Sequence, residues 1–377
     1  MRGRVDTDAV WTTQSPASLA TFGDLGDVVG LRRARIGVQG DLAIGGNYLA
    51  EIDLASGDVV IRDLFVGLGE VRGGGEFRSG HYREPFSLEI DTGANYFAFL
   101  ERSPVSVLDP ARNWGLGLLR AGESSTFALG VFQSGTDAND FEGGPGSTVD
   151  LTGKWTAAPI NEGEGERLLH LGLAFSERFP EDGVIIIQEQ TQSPLLDLGD
   201  VATSPFVPRI SVPASFQQLL NLQFAAARGP FWTQAEWYGS WIDQLGGGTV
   251  YLYGCHADCG CFLTGEHREY RAASSSFGPI HVSRPLIRCH ACDRPAGWGA
   301  WELTARYSYL DFQDPDTPPG PGGQLLGILL PEATFGVNWY LCDRIRLMFN
   351  YTYALPNEPN TGVSAASIFA TRLNVYW

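Results

Sequence analysis

The sequence predicts an all-β chain, an antiparallel transmembrane β-barrel of about sixteen strands. Three observations carry that reading. Many segments alternate apolar and polar residues with period two, as strands with one greasy and one polar face do. No run approaches the roughly 18 apolar residues that a membrane helix needs; the densest patch is Val184–Ile187. Arginines recur on the polar faces, and the apolar faces carry almost no charge. A dry core would not take Arg306, Arg344, Arg346 and Arg372 at inward positions without buried partners, whereas a watery lumen takes them at little cost. On the lipid side a charge costs about 2–4 kcal/mol at mid-membrane.

The elements follow in order. Residues 5–11 read as the tail of a strand that began earlier. Met1 is followed by R-G-R-V-D-T-D, which has no apolar export core, so an export signal is expected upstream of this sequence. Residues 31–41 set Ala34, Ile36 and Val38 against Arg33, Arg35 and Gln39. A Gly45-Gly46 turn leads to 47–54, where Tyr48, Ala50, Ile52 and Leu54 oppose Asn47, Glu51 and Asp53. Strands at 59–68 and 76–83 follow.

Residues 84–112 break the rhythm. They hold Pro85, Pro104 and Pro110, and a connection this long is functional or disordered. Phe86, Tyr96, Phe97 and Phe99 argue for order. Arg83, Glu84, Glu101, Arg102 and Arg112 bracket it, either lining a constriction or pinning the segment to the wall, and side-by-side opposite charges favour pinning.

Strands resume at 114–120, 126–133, 148–157 and 167–176. After a second long connection, 176–215, come 219–228, 231–242 and 249–264. A third connection spans 265–297. The clearest alternation comes last. Trp301, Leu303, Ala305, Tyr307 and Tyr309 alternate with Glu302, Thr304, Arg306 and Ser308. Strands at 335–341 and 345–353 follow, and 370–377 ends the chain on an aromatic residue, as a barrel's last strand does at the headgroup level.

Composition narrows the function. The net charge of −17 argues against a nucleic-acid partner. Acids cluster in loops, at Asp137, Asp140 and Glu142, at Glu177, Glu181 and Asp182, and at Asp311, Asp314 and Asp316. Lys154 is the only lysine. Six histidines show no H-E-x-x-H or Ser-His-Asp arrangement, so no catalytic site and no cofactor are predicted. Cys255, Cys259 and Cys261 share an outward strand face. Cys261, Cys289, Cys292 and Cys342 converge on one rim, where unpaired thiols, a disulfide and a metal site all stay open. One CxxC is weak support for a metal, and none is assigned.

Several segments resemble the phosphate-selective porin O and P family of Gram-negative outer membranes. They are L-R-R-A-R-I-G (31–37), V-I-R-D-L-F-V-G (60–67), Y-R-E-P-F-S-L-E (82–89), F-L-E-R-S (99–103), R-N-W-G (112–115), L-T-G-E-H-R (263–268), G-A-W-E-L-T-A-R-Y-S-Y-L-D (299–311) and N-W-Y-L (338–341). No single motif is specific; their number and order are. The resemblance implies one barrel domain over residues 1–377, a homotrimer in outer-membrane lipid, and a channel for small hydrophilic or anionic solutes. It implies that 84–112 is an inward-folded loop narrowing the pore. It implies that 265–297 is a periplasmic-side connection turning into the lumen, a basic island with Arg268, Arg271, Arg284, Arg288 and Arg294. Phosphate-specific members carry an arginine ladder where this chain has only Arg178 and Arg209. Their loop lysine falls near Asn95, which argues against tight phosphate capture.

The expected pore-lining, anion-binding residues are Arg33, Arg35, Arg306, Arg344, Arg346 and Arg372, because fixed charge in a narrow low-dielectric pore sets ion selectivity. The competing reading has them bracing the wall against Glu51, Asp53, Asp63 and Glu302. A plugged barrel acting as an adhesin or enzyme, a non-selective or cation-preferring pore and a soluble β-rich binding protein are the alternatives.

Overall fold

A computed structural model describes residues 1–43, 45–69, 75–133, 149–180, 183–187, 206–207, 209–287, 294–318 and 327–377. The described chain closes into a 16-strand antiparallel barrel. The strands are Arg2–Gln14, Val28–Leu42, Gly46–Asp53, Val60–Leu68, Glu76–Arg83, Arg112–Ala121, Ser125–Gln133 and Val149–Glu162. They continue with Arg167–Arg178, Ile210–Arg228, Phe231–Gln244, Thr249–Phe262, Ala300–Asp311, Leu329–Cys342, Ile345–Ala354 and Ala366–Tyr376. The first and last strands pair from Arg4↔Tyr376 to Gln14↔Ala366, so the sheet has no free edge.

Connections alternate between two ends. The end carrying both termini has short turns, such as Gly229-Pro230 and Asp343-Arg344, and one long segment, 263–299. The far end carries the long connections, including 84–111.

The period-two pattern sorts the faces. Leu64, Val66, Leu116, Leu129, Leu173, Leu222, Phe335 and Leu373 are exposed outward. Asp6, Asp8, Arg33, Glu51, Asp53, Asp258, Glu302, Arg306, Arg346 and Arg372 are buried on the inner face. Trp301 stacks on Trp339 at one rim, with ring centroids 4.8 Å apart. Trp237, Trp241, Tyr251, Tyr253 and Tyr309 form a chain of rings toward the other. Two aromatic belts flanking an apolar band are what a bilayer selects. Leu129→Arg is therefore expected to cost about 2–4 kcal/mol, measured as loss of the heat-modifiable folded band after refolding into lipid.

The observed strands run longer than the alternation predicts. Sequence pattern placed one at 219–228, yet it begins at Ile210. The register shifts between Ala214 and Phe216. One extra residue flips the parity, because side chains alternate with period two. Above the shift Ile210, Val212 and Ala214 face inward, fully buried, and Ser211, Pro213 and Ser215 face outward. That stretch follows the rule of a water-facing sheet, not a lipid-facing one.

The interior is unevenly filled. Phe86, Leu100, Val105 and Leu108 from 84–111 join an apolar cluster with Ile210, Val212, Ile242, Val250, Leu252, Leu310, Leu330 and Ile368. Burial of this cluster fixes the segment to one side of the barrel.

Candidate functional site

The connection 84–111 is held by hydrogen bonds to inner-face side chains around the barrel. It contains a one-turn helix, Leu88–Asp91, whose N-cap Ser87 accepts from the Ile90 amide at 2.9 Å. Glu236 of the wall accepts the Leu88 and Glu89 amides at 3.1 and 2.6 Å. A carboxylate at a helix N-terminus meets its orphan amides. A 3₁₀ turn, Pro104–Leu108, follows, and the Ser103 amide donates to Glu89 at 3.1 Å.

Between these turns the carbonyls are capped almost one by one. Arg268 donates to Tyr96 O at 3.1 Å, Asn338 to Ala98 O at 2.7 Å and Arg306 to Glu101 O at 3.1 Å. Arg346 donates to Phe97 O and Arg372 to Leu100 O. A non-helical backbone inside a barrel must find such donors.

The acids of the segment close the arrangement. Glu101 accepts from Arg32 at 3.0 Å and Arg33 at 2.7 Å, and also from Arg372. Burial pushes its carboxyl up, but these three guanidiniums hold it well below the usual carboxylate range. Glu89 and Asp258 share Arg306, the latter at 2.8 Å. Asp258 and His256 lie 3.2 Å apart. Glu84 accepts from Asn113 at 2.7 Å and from Arg178 at 3.3 Å.

A cavity of about 340 Å³ lies between this segment and the strands from Arg2–Gln14 to Val149–Glu162. Its charged lining is Arg2, Arg35, Arg78, Arg83, Arg102, Arg112 and Lys154 against Glu51, Asp63 and Asp91. Arg2 pairs with Glu51 at 2.9 Å, Arg35 with Asp53 at 2.7 Å, Arg78 with Glu76 at 2.7 Å and Arg112 with Asp63 at 2.9 Å. Lys154 pairs with Asp91. Among the described residues, Arg83 and Arg102 are the lining cations with no carboxylate within 4.0 Å. Arg102 lies over the Phe97 ring at 4.3 Å and donates to Ile90 O at 3.3 Å, while its Nε has no partner. Burial lowers its pKa to about 10, opposed by Glu89 and reinforced by Arg33 and Arg112. It stays charged at neutral pH.

The expected pore arginines thus separate. Arg35 lines the cavity. Arg33, Arg306, Arg346 and Arg372 are buried beneath 84–111, bound to its acids and carbonyls. Arg344 is a correction: it is exposed in the two-residue turn between strands, where the chain leaves the alternating pattern. Of the bracketing residues, Glu84, Glu101 and Arg112 are ion-paired, and Arg83 and Arg102 face the cavity. Glu302 meets Trp232, Asn338 and Tyr340 instead of an arginine.

In the 263–299 segment, Arg268 lies between Trp232 and Phe277, 4.3 and 3.9 Å from the ring centroids. Arg271 pairs with Glu269 at 2.6 Å and Arg284 is exposed. Arg294 pairs with Asp343 at 2.8 Å. Burial pushes the Asp343 carboxyl up, but hydrogen bonds from Arg294 and the Val282 amide hold it below its usual value. Arg288, Cys289 and Cys292 lie outside the described residues. Cys261 and Cys342 are free thiols, so they do not bridge each other. Strand alternation explains this, with Cys261 on the outer face and Cys342 buried within.

Residues 20–377 match the family of phosphate-selective porins O and P. The chain belongs to that family. It is an outer-membrane porin. An uncharacterized protein of Caulobacter vibrioides is 28% identical over 370 residues, covering 93% of this chain and 67% of that one. Two solved structures share the fold at low identity. The outer-membrane protein OmpT of Vibrio cholerae, in a trimer form, superposes with a TM-score of 0.58 at 12% identity, covering 100% of this chain and 98% of its own. The anion-selective porin of Comamonas acidovorans gives 0.56 at 12% identity, with the same coverage.

Three lining cations of this porin, Arg2, Arg78 and Lys154, were not among the sequence-predicted residues. Arg78 and Lys154 alternate in phase with inward Tyr82 and Thr152, so the face was readable. Nothing in the alternation marks Glu89, Glu236 and Asp258 as anchors, because the contacts that tie the segment to the wall, Glu89 to Arg306 and Glu236 to the Glu89 amide, join residues 217 and 147 positions apart, and Asp258 meets Arg306 across 48.

Proposed function

We propose that this porin is a passive diffusion channel for small hydrophilic solutes with a preference for anions. The observation that carries it is the cavity lining, seven cations against three carboxylates, with no carboxylate within 4.0 Å of Arg83 or Arg102 among the described residues. Field lines concentrate in such a space, so these fixed charges outweigh the acidic loops that give the chain its net −17. The segment 84–111 is the constriction, and its contacts with Arg306, Arg346 and Arg372 keep its position. Replacing chloride with a large organic anion should then lower single-channel conductance more than replacing potassium with a large cation. The reverse ordering would remove the reading, and a barrel that gives no conductance steps would be a plugged one.

The assembly is a homotrimer in the outer membrane of a Gram-negative-type bacterium. Wall height supports this. The strands Gly46–Asp53, Val60–Leu68 and Glu76–Arg83 have 8, 9 and 8 residues, against 19 in Ile210–Arg228. Eight residues span about 26 Å, or about 19 Å at a 45° tilt, short of an apolar band about 25 Å tall. Neighbouring copies seated against this low wall relieve the mismatch. Crosslinking in native membranes should give a trimer band, and a Val66→Cys variant should crosslink between copies; exclusively monomeric protein would contradict the assembly.

A further inference from the structure

We propose that the solute this porin favours is an organic carboxylate with a flat apolar body, and not inorganic phosphate; the proposal rests on the anion preference argued above. The cavity has two unlike walls. One presents Arg83 and Arg102. The other presents the partly exposed Phe65, backed by the buried Tyr82 and Phe132 through edge-to-face contacts at 5.8 and 5.4 Å. Arg78 covers part of this aromatic wall, 4.2 Å from the Phe65 centroid and 5.4 Å from that of Tyr82. Tyr82 itself is only 5% exposed, so Phe65 is the ring that meets the cavity.

Inorganic phosphate is compact and strongly hydrated. Stripping its water requires donors on several sides. Here Arg35 and Arg112 are already engaged by Asp53 and Asp63, and the facing wall offers rings. A carboxylate asks for less, since one guanidinium fork satisfies both oxygens. Its apolar body then replaces water against the partly exposed Phe65, where a phosphate would leave that ring wet. A volume of about 340 Å³ lies at the small end of small-molecule sites, which suits a single-ring acid.

The test is current block in planar bilayers holding the full-length porin. Chloride current is titrated with benzoate, acetate, inorganic phosphate and neutral benzamide. Benzoate should reduce the current at a concentration roughly tenfold lower than acetate or phosphate, and benzamide should not compete. Phe65→Ala should weaken benzoate block by roughly tenfold and acetate block much less. Phe65→Leu, which keeps bulk and removes the flat face, serves where the alanine variant folds poorly, and should weaken block in the same direction. Phosphate blocking at or below the benzoate concentration, benzamide matching benzoate, or benzoate block unchanged in both variants would each overturn the proposal. A reversal potential of cationic sign would instead remove the anion preference beneath it, so the two failures are distinct.

Discussion

Glu101→Gln is expected to destabilise the folded barrel by about 3–5 kcal/mol, the range for removing one partner of a buried charge network. Glu101 is 5% exposed and takes guanidinium groups from two wall strands, Arg32 and Arg33 on one and Arg372 on the other. The amide keeps the shape but turns an NH₂ donor toward three donors. It also leaves three buried cations short of their acid, with Asp6 and Asp8 as the remaining acceptors of Arg33 and Arg372. Because the same residue anchors 84–111, the loss has a second consequence. The segment should detach on the Arg372 side, and single-channel current should become noisier. Heat-modifiability on gels gives the stability change and bilayer recordings give the noise. A variant as stable as the parent, with the same quiet current, would show that the network does not hold the segment.

The double substitution R83E/R102E is expected to shift the anion-to-cation permeability ratio by at least about tenfold toward cations. Each substitution changes the local charge by two. A unit charge about 8 Å from a permeating ion in a watery pore is worth about 0.5 kcal/mol, so a change of four sums to about 2 kcal/mol, or roughly thirtyfold. Screening by salt reduces that figure, and low ionic strength should enlarge the effect. R346E provides the contrast. Arg346 is 2% exposed, bonded to Asn374 and Phe97 O, and does not line the cavity. It should lower stability more than it moves selectivity. Equal shifts from the two changes would place the selectivity elsewhere in the pore.

The barrel was legible because a membrane wall repeats one rule. Leu303, Ala305 and Tyr307 face out while Glu302, Thr304 and Arg306 face in, and each strand can be read without its neighbours. The rule fails where the strand leaves the lipid. From Ile210 to Ala214 the apolar side chains turn inward, so the strand was invisible to a search for outward-facing apolar residues. The segment 84–111 stood out by its lost alternation and its rings. Its anchors did not, because pairing is a property of the closed barrel. Arg372 meets Asp8, 364 positions away, and Arg306 meets Glu89, 217 away. Nothing local distinguishes these arginines from Arg83 or Arg102, which have no carboxylate within 4.0 Å among the described residues. Sequence located the inner face; only the closed circle separated arginines that brace from arginines that line the cavity.

The most direct measurement of the central claim is the zero-current potential of the unmodified porin across a tenfold potassium chloride gradient. Unpaired guanidiniums in the cavity predict the sign of a chloride-selective pore. A potential of potassium-selective sign would mean that the acidic loops govern the field, and that Arg83 and Arg102 do not.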